Sequence, residues 1–207
     1  MYLAPDSKLI LESFCRNPMP AIVIGGTPGT GKTKIAKIVG SRLAIETISL
    51  GDLAEKEGCI SAQDKARDTG IINEDCLVEA ILDIVDDKSK RIVIEGHYVD
   101  LVPYGSVEIA IVLRTHPEIL RERLKERGYS KAKVDENVEA EVLGVCQLDA
   151  LDAFGEEKVY EIDTTYLTPT EVASMIEELL KTETPPTRID WMETLEAEGR
   201  LDEFLSD

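Results

Sequence analysis

The stretch GGTPGTGKT, residues 25–33, follows directly on the apolar run Ala21-Ile22-Val23-Ile24. From Gly26 to Thr33 it satisfies G-x-x-x-x-G-K-[ST], the pattern of a phosphate-binding loop between a buried strand and an amphipathic helix. Its glycines let backbone wrap closely around phosphate oxygens, where Cβ atoms would collide. The loop N–H groups and the N-terminus of the following helix supply positive potential. Lys32 is placed to reach the β- and γ-phosphates of a nucleoside triphosphate, and the Thr33 hydroxyl to ligate Mg²⁺. The motif names the donor but not the acceptor, which could be water, a second nucleotide, another small molecule or a protein side chain.

A phosphate loop needs a second acidic group for the Mg²⁺ shell or its waters. Glu95 ends the apolar run of RIVIEGH, residues 91–97, so it emerges at the carboxyl edge of the sheet, where the phosphate loop also lies. The alternative, a strand-end surface carboxylate, fits less well after such a buried-type run. His97 leaves the same edge, either with a role at the site or as a loop histidine with none. Phosphoryl transfer also requires positive charge around the transferring group. Arginines concentrate at Arg114, Arg121, Arg123 and Arg127. Arg123 and Arg127 share a helix face. Some of the four must pair with Glu118, Glu122 and Glu126, and Arg127 is the one assigned to the site.

These residues need a scaffold. Short β-branched runs alternate with longer helical patterns, which predicts an α/β protein with a parallel sheet. Strands are expected at 21–25, 44–49, 91–95, 108–114 and 158–163, a five-stranded parallel sheet flanked by helices. Helices are expected at 32–43, 51–57, 74–87, 117–127, 136–152 and 169–181. Asp52 is the expected N-cap of the second helix. Pro117 and Pro169 suit first turns. After Lys181 the stretch TETPPT predicts a stiffened linker. Beyond it Trp191, Leu195, Leu201, Phe204 and Leu205 form an apolar face, read as a tail helix docking on its own domain; a partner-binding arm is the alternative.

Composition bounds the function. The 207 residues carry a net charge of −18, from 41 acidic and 23 basic side chains. Such a surface repels nucleic acid, so direct DNA or RNA binding is not expected. It would attract a basic protein, although a solvated, solubilising surface accounts for most of the charge. No run approaches the roughly 18 apolar residues of a membrane span. Asp6, Lys8, Glu12 and Arg16 interrupt the first 20 residues, unlike a signal peptide. A cytoplasmic protein is expected. Cys15, Cys59, Cys76 and Cys146 lie far apart with no CxxC pair, which predicts reduced thiols rather than a disulfide framework or zinc site.

The strand and loop IVIGGTPGTGKT, the turn ISLGDLAEKEG, the strand end IVIEGH and the block from RLKERGY to ENVEAEV recur in one order. In these the sequence resembles the adenylate kinase isoenzyme 6 family, nucleotide kinase-like ATPases of archaea and eukaryotes linked to small-ribosomal-subunit maturation. The resemblance covers about residues 21–181, and implies a kinase domain over 1–181 of nucleoside monophosphate kinase type, with 182–207 as linker and acidic C-terminal helix. It implies a monophosphate-binding region at about 49–72, opened by Gly51 and Asp52, and a short lid at about 126–136. By the same resemblance Gly29, Thr30, Gly31, Lys32, Thr33, Lys34 and Arg127 bind ATP, Thr33 and Glu95 hold Mg²⁺ directly or through water, and Lys32, Glu95, His97 and Arg127 serve catalysis.

Two departures stand out. The family usually has aspartate, one residue, then histidine after the third strand; here the sequence is Glu95-Gly96-His97, and the extra methylene moves the carboxylate by about 1.5 Å. Position 34 is lysine where a hydroxyl residue is common. The resemblance implies ATP + AMP = 2 ADP with accompanying ATPase activity. Alternatives are an ATP-driven assembly factor for a basic small-subunit ribosomal protein, and a kinase for another small metabolite.

Overall fold

The computed structural model describes residues 21–64, 69–87, 89–182 and 186–205. The expectations for residues 1–20, and for part of the 182–187 linker, fall outside these.

Five strands form one parallel sheet: β1 (Ala21–Gly26), β2 (Glu46–Ser49), β5 (Ile92–Glu95), β6 (Val107–Arg114) and β7 (Val159–Asp163), in the order β2-β5-β1-β6-β7. Every residue of β1 is buried, because helices cover both faces of the sheet. The alternation of a strand divides its side chains between the two layers. Ala21 and Val23 join one core with α2 (Leu50–Lys56), α3 (Glu74–Val85) and α6 (Val145–Phe154); Ile22 and Ile24 join another with α1 (Lys32–Leu43) and α7 (Pro169–Leu179). A third apolar cluster lies outside the sheet. Leu120 and Leu124 of α4 (Pro117–Glu126) meet Val134, Val138 and Val142 of α5 (Lys131–Val142), and Leu195 and Phe204 of the tail close over them. Leu195 belongs to α8 (Trp191–Ala197), which Asp190 caps by accepting from the Glu193 N–H.

Four details differ from the sequence expectation. Ser49, rather than Asp52, caps α2, its hydroxyl accepting from the Asp52 N–H; Asp52 lies in the first turn. The single helix expected at 136–152 is two, α5 and α6, parted by Gly144 at φ 68°, a left-handed conformation that glycine adopts freely. Residues 60–72 contain an antiparallel pair, β3 (Ile60–Asp64) and β4 (Thr69–Ile72), which the polar sequence SAQD does not announce. The reduced-thiol expectation is also corrected: Cys59 and Cys76 form a disulfide with Cα atoms 5.4 Å apart, while Cys146 is a buried free thiol. The cause is tertiary. Asn73 N–H donates to the Cys59 carbonyl at 2.7 Å, which brings the first turn of α3 back against the start of β3.

No helix of the described residues is long and apolar enough to cross a membrane.

Candidate nucleotide-binding site

The central strand delivers the phosphate loop to the carboxyl edge of the sheet, between β5 and β6, where strand order reverses and ligand crevices form. Register sets the neighbours: Ile24 pairs with Glu95, and Gly26 with Leu113. The loop glycines are required by packing as well as by phosphate access. Gly26 has φ +135°, and a Cβ there would strike the Leu113 carbonyl; at Gly29, with φ +100°, it would come within 2.6 Å of Leu120 Cδ1. The loop is thus pressed between β6 and α4 before any ligand arrives.

Lys32 opens α1 and folds back over the loop, its ammonium donating to the carbonyls of Gly26 at 2.7 Å and Thr27 at 3.1 Å. Burial pulls its pKa below the ordinary lysine value, opposed by nearby Glu95 and Glu141 among others. A cavity of about 460 Å³ opens above it, lined by Pro28, Gly29, Gly31, Lys32, Thr33, Lys34, Lys37 and Arg127. Four cations around one hollow, in a chain of net charge −18, make a site for a polyanion. Thr30 is buried one turn below, its hydroxyl donating to the Thr27 carbonyl at 2.9 Å.

Glu95 is buried, and its Oε1 accepts from the Thr33 hydroxyl at 3.1 Å. A hydroxyl and a carboxylate converging beside the phosphate hollow are the hard oxygen donors Mg²⁺ takes, and Mg²⁺ usually keeps several waters and substrate oxygens as its remaining ligands. The residues therefore fit a Mg²⁺-phosphate site, and glutamate in place of aspartate spans the gap to Thr33 directly.

A second cavity, of about 560 Å³, adjoins the first, and Pro28 forms a wall of both. Its lining comes from Thr27 and Pro28 of the loop, Gly70, Ile71 and Ile72 of β4, Glu74, His97, Tyr98, Val145, and Lys133, Glu136, Asn137 and Ala140 of α5. His97 keeps one face open to it, while its Nδ1 lies 3.5 Å from Cys146 Sγ. The surrounding protein, and then the Lys32 charge, lower its pKa below the ordinary histidine value. Burial pushes the Cys146 thiol up to about 11, so it stays protonated at neutral pH.

Of the four arginines only Arg127, at the C-terminal cap of α4, lines a nucleotide-sized hollow beside the loop. Arg114 is fully buried between Glu141 and Glu161. Arg123 donates to the carbonyls of Thr164 and Thr165, and Arg121 stacks on Phe204. The expected pairing with α4 carboxylates is replaced by pairing across the fold, and Glu118 is taken by Arg200 of the tail. Gly51 and Asp52 line neither cavity; they sit in the exposed first turn of α2. Sequence reasoning missed Lys37 and the α5 face. Lys34 and Lys37 stand three apart on one side of α1, a signal that was there to find; Lys133, Glu136, Asn137 and Ala140 follow the same helical spacing.

Residues 22–144 match the family model described as an AAA domain. A protein of Pyrococcus abyssi is 42% identical over 160 residues, covering 77% of this chain and 83% of its own. One of Methanothermobacter thermautotrophicus is 41% identical over 172 residues, covering 82% and 96%. Both carry the name "Putative adenylate kinase". In fold the chain is similar to a shikimate kinase of Acinetobacter baumannii, with a TM-score of 0.57, 16% identity, and 82% of this chain and 96% of that one covered. A sugar kinase of Janibacter gives a TM-score of 0.57 at 18% identity, covering 83% and 100%. The chain has the fold of the P-loop kinases and belongs to the same family as these archaeal proteins.

Proposed function

We propose that this protein is a Mg²⁺-dependent nucleoside monophosphate kinase that transfers the γ-phosphoryl of ATP to AMP and hydrolyses ATP when no acceptor is bound. The observation that carries this reading is the pair of cavities sharing Pro28, one ringed by cations and the other next to it across the loop. Donor and acceptor on either side of one phosphate loop is the arrangement that direct, in-line transfer requires. The names of the archaeal relatives support adenine nucleotides.

In this reading the loop N–H groups and Lys32 bind the β- and γ-phosphates, and Lys32 must leave the Gly26 and Thr27 carbonyls to do so. Arg127, Lys34 and Lys37 surround the phosphates from the lid side and from α1. Preorganised positive charge of this kind stabilises the equatorial oxygens as the bond to the leaving phosphate lengthens. Thr33 and Glu95 would hold Mg²⁺, which supplies further charge neutralisation when bound. His97 lines the second cavity and Glu95 accepts from Thr33 of the first; one or the other would orient the water when hydrolysis occurs.

The test is ADP formation from ATP, AMP and Mg²⁺ by purified protein, with Lys32→Ala as control. Production of ADP beyond that from hydrolysis alone supports the reading; no excess rules out the kinase half.

A role in small-ribosomal-subunit maturation rests on the isoenzyme 6 resemblance, and the −18 surface would suit a basic ribosomal protein. Failure to co-purify such a protein at moderate salt counts against it.

A further inference from the structure

Glu141 is 1% exposed and lies outside the lining of the cation-lined hollow, yet it touches the phosphate loop. Its two oxygens are fully engaged. Oε2 accepts from the Thr27 hydroxyl at 2.5 Å. Oε1 accepts from Arg114 Nε at 2.9 Å, the Thr115 N–H at 3.0 Å and Trp191 Nε1 at 3.2 Å. One carboxylate thus joins the phosphate loop, the end of β6 and the C-terminal tail. The Thr27 carbonyl, in turn, holds the Lys32 ammonium.

Trp191 is the one tryptophan of the sequence and opens α8. It is 7% exposed, its ring packs edge-on against His116 at 5.3 Å, and Leu195 of the same helix is sealed into the cluster between α4 and α5. The tail therefore grips both helices that flank the short turn after Arg127. A buried, satisfied carboxylate network is rigid, because each donor it loses leaves an uncompensated acceptor in low dielectric.

We infer that Thr27, Glu141 and Trp191 form a relay through which the docked C-terminal tail positions the phosphate loop, with Glu141 and Trp191 as positioning residues for triphosphate binding. The inference rests on the nucleotide reading above and extends it. Glu141 stands between the two ends: when phosphate draws Lys32 off the Thr27 carbonyl, the Thr27–Glu141 contact must readjust, and Trp191 donates to the same carboxylate. Coupling of this kind is reciprocal, so docking of the tail tightens nucleotide binding by the same factor that nucleotide tightens the tail.

Trp191 reports on this directly. Titration of the unmodified full chain with Mg²⁺-ATP, bound fraction followed in parallel by equilibrium dialysis, is expected to change tryptophan emission saturably and at the same midpoint. Binding without any emission change overturns the inference; absence of binding overturns the nucleotide reading and the inference with it. Trp191→Phe keeps an aromatic ring in the cluster and removes the indole N–H donor, with part of the ring volume. With circular dichroism unchanged, it is expected to weaken Mg²⁺-ATP binding roughly fivefold or more, and an unaltered affinity overturns the relay. Should that variant not fold, Thr27→Val cuts the relay at its other end; the emission response must then vanish while ATP still binds, and a response that persists refutes the proposal.

Discussion

The Thr33 hydroxyl donates to Glu95 Oε1 at 3.1 Å, joining the first turn of α1 to the end of β5 across the carboxyl edge of the sheet. The contact follows from register, since Glu95 pairs with Ile24, the residue that leads into the phosphate loop. The glutamate side chain reaches the hydroxyl directly from the strand end.

Glu95→Gln keeps the shape and the contact with Thr33 but removes the charge. ATP turnover should fall roughly 10- to 100-fold, with the Mg²⁺ concentration for half-maximal rate displaced upward. A Mg²⁺ titration of the variant beside the parent measures both.

Arg114 is buried against Glu141 and Glu161. Burial raises the pKa of Glu161 and Arg114 works against that rise. Arg114→Met would leave Glu141 without its cation and Glu161 with only Arg188 at 3.7 Å, and cost about 3–5 kcal/mol. Urea unfolding at pH 7 is the measurement, and the loss should shrink at low pH as the carboxylates take up protons.

The Cys59–Cys76 bridge closes a segment 17 residues long that contains β4, a wall of the second cavity. Reduction is expected to lower stability by about 3 kcal/mol, the loop-closure value for a ring of this size. Thermal or urea unfolding with and without reductant reads it, and a Cys59→Ser, Cys76→Ser double variant should show no such dependence.

His97 has a lowered pKa, through its surroundings first and Lys32 second, with Asp149 opposing. The unfolded chain takes up a proton near pH ~6.5, before the folded one does, so protons favour unfolding. This contribution to stability is present above pH ~6.5 and is lost as pH falls through the lowered folded value. His97→Gln should flatten the corresponding part of a melting-temperature profile between pH 7 and 5.

The sequence by itself determined the phosphate loop, the parallel sheet and the covering helices. Each depends on local pattern: buried strand, glycine spacing, lysine and threonine in one continuous stretch, and apolar residues at strand or helix periods. Glu95 and Arg127 were legible for the same reason, as a strand end and a helix end. Only the tertiary structure decided which arginines were structural, since Arg114 and Arg123 find partners 27 to 47 residues away that no helical spacing reveals. It likewise decided the disulfide, which needs β3 and α3 brought together, and the break at Gly144, where helical composition continues but the chain must turn to return α6 to the sheet. Glu141 and Trp191 lie 50 residues apart and meet because the tail packs into the α4–α5 cluster. Periodicity announces an apolar face, but the face does not say what it will cover; that choice belongs to the packing of the whole chain.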